Sequence, residues 1–330
     1  MKKQQPPQDK KKQFGHNLGT IVVKILDSIV NTVVLCIFLL FFLYGSYMLW
    51  QSDQVFQAAS SKEYVQYRPT AENEGISFAA LQKINPDVFA WLTIYGTAID
   101  YPLTHTDNNE TYVNTDVMGN FSISGSLFLD SRNAADFADF NSIIYGHHMD
   151  KEAMFGGLAQ YTDPEYLVSH QYANLYYEGK DHGLEFFAFL EADAYDTSIY
   201  KPVILEGAEE EYVSHLIASS IHSREITITP ADHIVLLTTC TVSSTNGRHI
   251  LAGKITDEVH QNPYRTDTDN AVKEIKTVSS PSVSILNQVP FAFLMVPVIL
   301  LILIILYLIC SKERKGAYER KSKEPPERSS

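Results

Sequence analysis

The fold of this chain is decided by residues 234–255, IVLLTTCTVSSTNGRHILAGKI. Two apolar runs flank a segment of small and polar residues, a pattern that predicts two antiparallel strands. A tight turn at Asn246-Gly247 would pair Cys240 far along the second strand from Arg248. A loop over the whole polar segment instead places Cys240 at the end of one strand and Arg248 at the start of the next. We take the loop as our hypothesis, because the thiol and the guanidinium then face one site.

The chain before this stretch is rich in short segments of strand type, with a few helical segments between them. The predicted strands are two within 88–103 and one each at 124–130, 141–149, 173–179, 184–195 and 198–205. The predicted helices are 53–67, 76–85, a short one around 154–160, and 207–222. Consecutive short strands with one inserted helix indicate a closed barrel or a sandwich.

Two uncharged segments, 28–52 and 277–311, are long enough to cross a bilayer, which takes about 20 apolar residues. Basic residues crowd the tail before the first segment and the tail after the second, so the positive-inside rule predicts that both termini are cytoplasmic. The first segment is also compatible with a cleaved signal peptide, with a weak processing site at 57–60, but its apolar run is longer than such peptides have. The prediction is a two-pass protein of the cell membrane with an extracellular domain.

The net charge of −13 is unevenly distributed over the 330 residues. The two tails hold 13 of the 26 basic and 6 of the 39 acidic residues, which leaves a net charge of −20 for the part between them. A domain that acidic is a poor partner for nucleic acids.

Cys240 is the only cysteine of the predicted extracellular part, because Cys36 and Cys310 belong to the two apolar segments. A lone thiol has no intrachain disulfide partner, so it is either reactive or a buried structural residue. A cysteine nucleophile needs a base and a group that stabilises the oxyanion. A histidine and Arg248 would supply both. The alternative for Arg248 is a surface residue that pairs with a carboxylate.

Two histidines, His147 and His148, end a predicted strand after Gly146. Neighbouring residues of a strand point to opposite faces, so the two rarely bind one ion, and we predict no metal site. Either histidine is also compatible with a structural, hydrogen-bonded role. The acidic run at 206–211 is explained better as the first turn of a helix than as a calcium site.

These motifs resemble those of the sortases, membrane-anchored cysteine transpeptidases of Gram-positive bacteria. Leu237-Thr238-Thr239-Cys240 with Arg248 downstream is similar to the Leu-x-Thr-Cys motif of that family, and Tyr145-Gly146-His147 is similar to its histidine motif. Class B is most similar, since NPDVFAWLTIYGTAIDYPL, GSLFLD and NSIIYGHHM occur in its order between residues 75 and 256. The resemblance implies a mostly β fold: an eight-stranded sortase-type β-barrel with N-terminal helices and a helix inserted before the last two strands. Two transmembrane helices would flank it.

The resemblance also implies roles for individual residues. Cys240 would be the nucleophile, His147 the acid and base, and Arg248 the group that holds the substrate carbonyl or oxyanion. The implied substrate-binding residues are Thr239, Thr238, Asn109, Val113 and Ile199. No cofactor is implied. The implied reaction cleaves the sorting signal of a secreted protein after a Thr and transfers the acyl group to an amine, either of a lipid-linked peptidoglycan precursor or of a pilin Lys.

The sequence departs from the class B pattern in places. Val242 stands where some members carry Asp, and Leu236 where Thr or Ser is common. The second apolar segment is more typical of class C, the pilin polymerases, whereas the lid of class C is missing. Three alternatives therefore stay open: a pilin-polymerising sortase, a membrane-tethered cysteine protease with water as acceptor, and a non-catalytic binding module.

The predicted organisation has seven parts. They are a cytoplasmic tail (1–27), a transmembrane anchor (28–52), a helical linker (53–75), the catalytic domain (76–258), a stalk (259–288), a second transmembrane helix (289–310) and a second cytoplasmic tail (311–330).

Overall fold

The computed structural model describes residues 8–69, 76–241 and 245–264. The described residues divide into two units, the first up to Leu49 and the second from Trp50 onward. All the strands of the described residues lie within the second unit.

The N-terminal helix α1, Gln8–Ala58, is continuous over 51 residues. Within it, Val22–Ser52 has a mean hydropathy of 2.4, and it is the one helix of the described residues that is long and apolar enough to cross a membrane. Its position is consistent with the anchor predicted at 28–52. The second predicted span, 289–310, lies outside the described residues.

The helix predicted at 53–67 is wrong beyond Ala58. There the chain forms two short 3-10 turns, Ser61–Glu63 and Val65–Tyr67. Ser60 begins the first turn, because its hydroxyl accepts a hydrogen bond from the backbone N–H two residues on, at 3.4 Å. Such local bonds from a Ser side chain compete with the continuation of a helix.

The remaining helical elements follow the predictions in part. Helix α2, Ile76–Ile84, confirms the helix at 76–85, and the short helix around 154–160 is a 3-10 turn, Gly156–Thr162. Helix α3, Pro164–Ser169, was not predicted.

The strands that the structure describes form one sheet of nine. They are β1 Val88–Ile94, β2 Asp100–Thr104, β3 Leu127–Leu129, β4 Asn141–Tyr145, β5 Tyr172–Tyr177, β6 Lys180–Asp193, β7 Ser220–Ser223, β8 Ile234–Cys240 and β9 Gly247–Thr256. Eight of them follow the order β5-β1-β2-β3-β4-β8-β9-β6, and β6 pairs again with β5. The sheet therefore closes into the predicted eight-stranded barrel, and β7 joins β6 from outside.

One predicted strand, 198–205, is wrong. The chain turns there instead, because the backbone oxygen of Asp196 accepts hydrogen bonds from the N–H groups of Ile199 and Tyr200 at 3.2 and 3.0 Å. Pro202 in the same segment has no N–H to give to a strand ladder. The helix predicted at 207–222 corresponds to α4, which is shorter, Glu209–Ala218. The last residues of the predicted segment belong to β7, Ser220–Ser223, instead.

Strand β8 separates two apolar cores. Val235 and Leu237 belong to the core inside the barrel, whereas Ile234 and Leu236 belong to a second core under α4. This alternation follows from the strand period of two. Cys240 has the same parity as Leu236, so its side chain lies on the outer face, on the side of α4.

Candidate active site

Cys240 and Arg248 are direct partners across β8 and β9. The pairing confirms the loop hypothesis, since β8 ends at Cys240 and β9 begins at Gly247. Residues directly opposite on an antiparallel pair share a face, so the thiol and the guanidinium project from the same side of the barrel. The thiol is exposed, which excludes the buried structural alternative for Cys240.

A parallel strand pair brings His147 to the same end of the sheet as Cys240. Strand β4 runs parallel to β8 with Tyr145 opposite Thr238, and the Gly146 N–H donates to the Thr238 carbonyl at 3.1 Å. Two residues beyond this pair, the chains reach His147 and Cys240. Strand β4 ends at Tyr145, earlier than the predicted 141–149, so the histidine stands on the loop that follows it.

The ring of His147 is held from a third direction. Its Nε2 atom lies 2.8 Å from the backbone oxygen of Val113, which ends the 3-10 turn Thr111–Val113. A carbonyl oxygen only accepts hydrogen bonds, so Nε2 carries a proton and Nδ1 is left for proton exchange. Val113, predicted as a substrate-binding residue, thus contacts His147 directly.

His148, the next residue of this loop, has different partners from His147. It forms a bridge to Met154, and its ring lies near that of buried His249. Burial lowers the pKa of His249 most, the hydrogen bond to Glu191 opposes this, and the charge of His148 lowers it further.

The two threonines before Cys240 have different positions. Thr238 lies on the outer face, and its buried hydroxyl is 2.9 Å from the phenol oxygen of Tyr200. Thr239 pairs with His249 on the inner face, and its buried hydroxyl makes no hydrogen bond to the residues that the structure describes. The side chain of Thr239 is therefore turned away from Cys240, and only its backbone is available to an oxyanion.

Tyr200 is a site residue that the sequence did not reveal. Burial raises the pKa of its phenol to about 12, although the hydrogen bond with Thr238 and the charge of Arg248 lower it, and the charge of Cys240 also raises it. The phenol thus lies within electrostatic reach of Cys240 and Arg248. The neighbouring Ile199, predicted as a substrate-binding residue, is 2% exposed in the outer core. The position of Tyr200 next to Ile199 in the sequence was the one signal that could have identified Tyr200 as a site residue.

Asn109 belongs to a network around Asp130, whose side chain is fully buried. The carboxylate accepts hydrogen bonds from Asn109 Nδ2 at 3.1 Å, from the Tyr145 phenol at 2.9 Å and from two nitrogens of Arg132, each at 2.8 Å. Burial alone would raise the pKa of Asp130, but the bonds from Arg132 and Tyr145 outweigh it and lower the pKa. The network ties Asn109 to Tyr145, two residues before His147.

The described ranges contain no group of three or more His, Cys, Asp or Glu side chains that could hold a metal ion. The acidic run at 206–211 leads into α4, with three glutamates in its first turn. The carboxylate of Glu209 accepts a hydrogen bond from the Gly207 N–H at 2.7 Å, which is the helix-start arrangement that the sequence predicts.

Comparison with known proteins agrees with this architecture. No protein-family model matches the chain. Over 179 residues it is 32% identical to Sortase B of Listeria monocytogenes, an alignment that covers 53% of this chain and 72% of the relative. A crystal structure of a Streptococcus pyogenes class B sortase involved in pilus biogenesis is 37% identical, with a TM-score of 0.51, over 55% of this chain and 99% of that one.

A second solved structure contains a bound substrate. The Staphylococcus aureus sortase B–substrate complex is 26% identical, with a TM-score of 0.52, over 63% of this chain and 94% of that one. The closed barrel, the inserted helix α4 and the extent of these alignments lead to one conclusion: the chain belongs to the sortase B family of transpeptidases.

Proposed function

We propose that this sortase works through Cys240 as its nucleophile. The thiolate attacks the carbonyl carbon after a Thr in the sorting signal of a secreted protein, and a tetrahedral oxyanion forms. The C–N bond then breaks, the amine leaves with a proton, and a thioacyl-enzyme remains. An amine attacks the thioester in the second step, and Cys240 is released as the thiolate. The observation that carries this proposal is the pairing of Cys240 with Arg248 across β8 and β9, next to the end of β4, from which the chain continues to His147.

His147 supplies and removes the protons. With Nε2 bound to the Val113 carbonyl, Nδ1 is free to donate a proton to the leaving amine and to accept one from the incoming amine. Arg248 stabilises the oxyanion, because its guanidinium shares the face of Cys240 and carries a permanent charge.

The sorting signal binds along the outer face next to Cys240. Thr238 and Tyr200 line this site, and Asn109 and the Asp130 network support it through Tyr145, which pairs with Thr238. Val113 stands beside His147 at the groove edge. Thr239 contributes through its backbone alone, and Ile199 acts by packing under Tyr200. The Staphylococcus aureus structure is a sortase B–substrate complex, which supports a substrate site in this chain.

The acceptor is an amine of a lipid-linked peptidoglycan precursor, and the enzyme works at the outer surface of the cell membrane. Both termini are cytoplasmic, with 28–52 and 289–310 as the two spans. A second candidate is pilin polymerisation with a pilin Lys as acceptor. It is favoured by the 37% identity to the Streptococcus pyogenes protein, which is involved in pilus biogenesis.

The test is intact mass measurement of the full chain in mild detergent after incubation with a pool of sorting-signal peptides. We expect a mass gain on Cys240 that equals the peptide up to its Thr and is released by hydroxylamine. Cys240→Ala must show no adduct, whereas Cys36→Ala, which removes the thiol inside α1, must behave like the parent. Full transpeptidation by Cys240→Ala would overturn the proposal.

The same experiment separates the enzyme classes. With a transpeptidase, an added amine takes the acyl group and gives an amide product. A cysteine protease gives the free carboxylic acid whether or not an amine is present. Comparison of a peptidoglycan-type amine with a pilin Lys peptide then identifies the acceptor.

A further inference from the structure

The seven residues after His147 form a loop that returns to its own start. The Phe155 N–H donates to the His147 carbonyl at 3.0 Å, and His148 forms a bridge to Met154. The backbone position of His147 therefore depends on how this loop, residues 148–154, is closed.

The loop has an unfavourable backbone. Lys151, Glu152 and Met154 have φ angles of 56°, 61° and 52°, in the left-handed region that residues with a side chain seldom adopt. Such conformations persist where the surrounding structure holds them. Contacts from outside the loop must therefore stabilise its shape.

One outside contact is the phenol of Tyr101, on β2. Tyr101 is 2% exposed, and its oxygen accepts a hydrogen bond from the Met154 N–H at 3.1 Å. The same phenol donates to the carbonyl of Ala59 at 2.8 Å. Ala59 is the first residue after α1, so one hydroxyl group connects the end of the N-terminal apolar helix to the loop of His147.

A second contact joins the same two segments. The Nζ atom of Lys151 lies 4.5 Å from the centre of the Phe56 ring, which belongs to the last turns of α1. The face of an aromatic ring attracts a cation at this distance. Two independent contacts thus hold the strained loop against the end of α1.

We propose that Tyr101 is a positioning residue for the transpeptidase reaction. It holds the loop 148–154 in the shape that places His147 beside Cys240, and it makes that placement depend on the end of the membrane-anchor helix. The inference rests on the proposed role of His147 as acid and base. Tyr101 itself touches neither substrate nor reacting atoms.

The test compares Tyr101→Phe with Tyr95→Phe in the full chain, reconstituted in phospholipid nanodiscs. Tyr95 is a matched control, because its phenol also donates to a backbone carbonyl, that of His260, at 3.0 Å. We expect Tyr101→Phe to lower the rate of Cys240 acylation at saturating peptide about tenfold, since small misplacements of catalytic groups are costly. The KM should stay within about twofold, because the groove is unchanged. Tyr95→Phe should match the parent.

A second readout reports on the histidine itself. In ¹³C-histidine spectra, with the resonance assigned through His147→Gln, the Cε1–H signal of His147 should move or split in Tyr101→Phe. The signal of His215, on α4, should stay in place. Phe56→Leu removes the ring under Lys151 and should lower the acylation rate about threefold, so it serves as the test where Tyr101→Phe folds poorly.

The outcomes distinguish this inference from the proposed function. If the parent forms no acyl adduct on Cys240, the proposed function fails first. If the parent is acylated and Tyr101→Phe equals Tyr95→Phe in both rate and His147 signal, Tyr101 has no positioning role. Parental rates in Phe56→Leu, where Tyr101→Phe does not fold, would also overturn the inference.

Discussion

The Nε2 atom of His147 is bound by the backbone oxygen of Val113 at 2.8 Å, so the ring depends on a carbonyl that no side-chain substitution removes. A substitution at Gly125 would move this carbonyl, because Gly125 packs directly against the backbone of Val113. A Cβ atom there would meet the carbonyl oxygens of Val113 and Tyr112 far inside van der Waals contact, and the φ of +57° disfavours a side chain as well.

Gly125→Ala is therefore expected to displace the turn Thr111–Val113 and to lower the acylation rate of Cys240 by about 10- to 100-fold. The rate is measured by quenched-flow mass spectrometry. Gly119→Ala is the matched control, because Gly119 has a φ of +84° and a methyl group added there would meet no atom within 4 Å among the described residues. Equal losses in both variants would mean that backbone strain, and not the carbonyl of Val113, matters.

Arg248 is predicted to act in the transition state. Arg248→Ala removes the cation beside Cys240 and should lower kcat/KM by about 10²- to 10³-fold, equivalent to ~2.7–4 kcal/mol. The loss should fall mainly on kcat, since ground-state binding changes little. Arg224→Ala is a control for charge, because Arg224 pairs with Glu185 on another part of the barrel. A loss confined to KM would assign Arg248 to substrate binding instead.

The hydroxyls of Tyr200 and Thr238 should be energetically coupled. Tyr200→Phe and Thr238→Val each break their 2.9 Å hydrogen bond, so the double variant should lose less than the sum of the single variants, with a coupling of about 0.5–1.5 kcal/mol. Unfolding free energies and kcat/KM of all four proteins measure it. Because burial raises the pKa of Tyr200 to about 12, the coupling should be constant from about pH 6 to pH 9. Strict additivity would show that the contact has no energetic role.

Asp130 should make stability depend on pH in the acid range. Its pKa is lowered in the folded state, so its charge stabilises the fold above the ordinary carboxyl pKa of 3.8, and this contribution disappears as the pH falls through the lowered value. Arg132 is more than half exposed, so solvent screens part of the ion pair.

Asp130→Asn is expected to cost about 1–2 kcal/mol at pH 7, and the difference from the parent should shrink below about pH 4. Urea unfolding of the full chain in detergent measures both. Asp136→Asn is the control at an exposed carboxylate of the loop that follows. A difference that persists unchanged at acid pH would mean that charge is not the cause.

The sequence by itself determined the local architecture. The apolar run Ile234 to Leu237 predicted the strand that is β8, and the uncharged run 28–52 predicted a segment long enough to cross a membrane, which lies within α1. The loop that pairs Cys240 with Arg248 was also predictable, since both residues border one short polar segment. These features are local, because the hydrophobic pattern that distinguishes a strand from a helix depends only on residues close together in the sequence.

The tertiary structure alone decided which distant residues meet. The parallel pairing of β4 with β8 brings His147 to Cys240 across more than 90 positions of sequence, and Tyr200 reaches Thr238 from a segment whose pattern predicted a strand. The hydrogen bond from Tyr101 to Ala59 could not be predicted from the sequence pattern around either residue. Contacts of this kind arise from barrel closure, in which one strand order is selected by the summed packing of both cores. Local periodicity states which face of a strand is apolar, but it does not state which strand lies beside it.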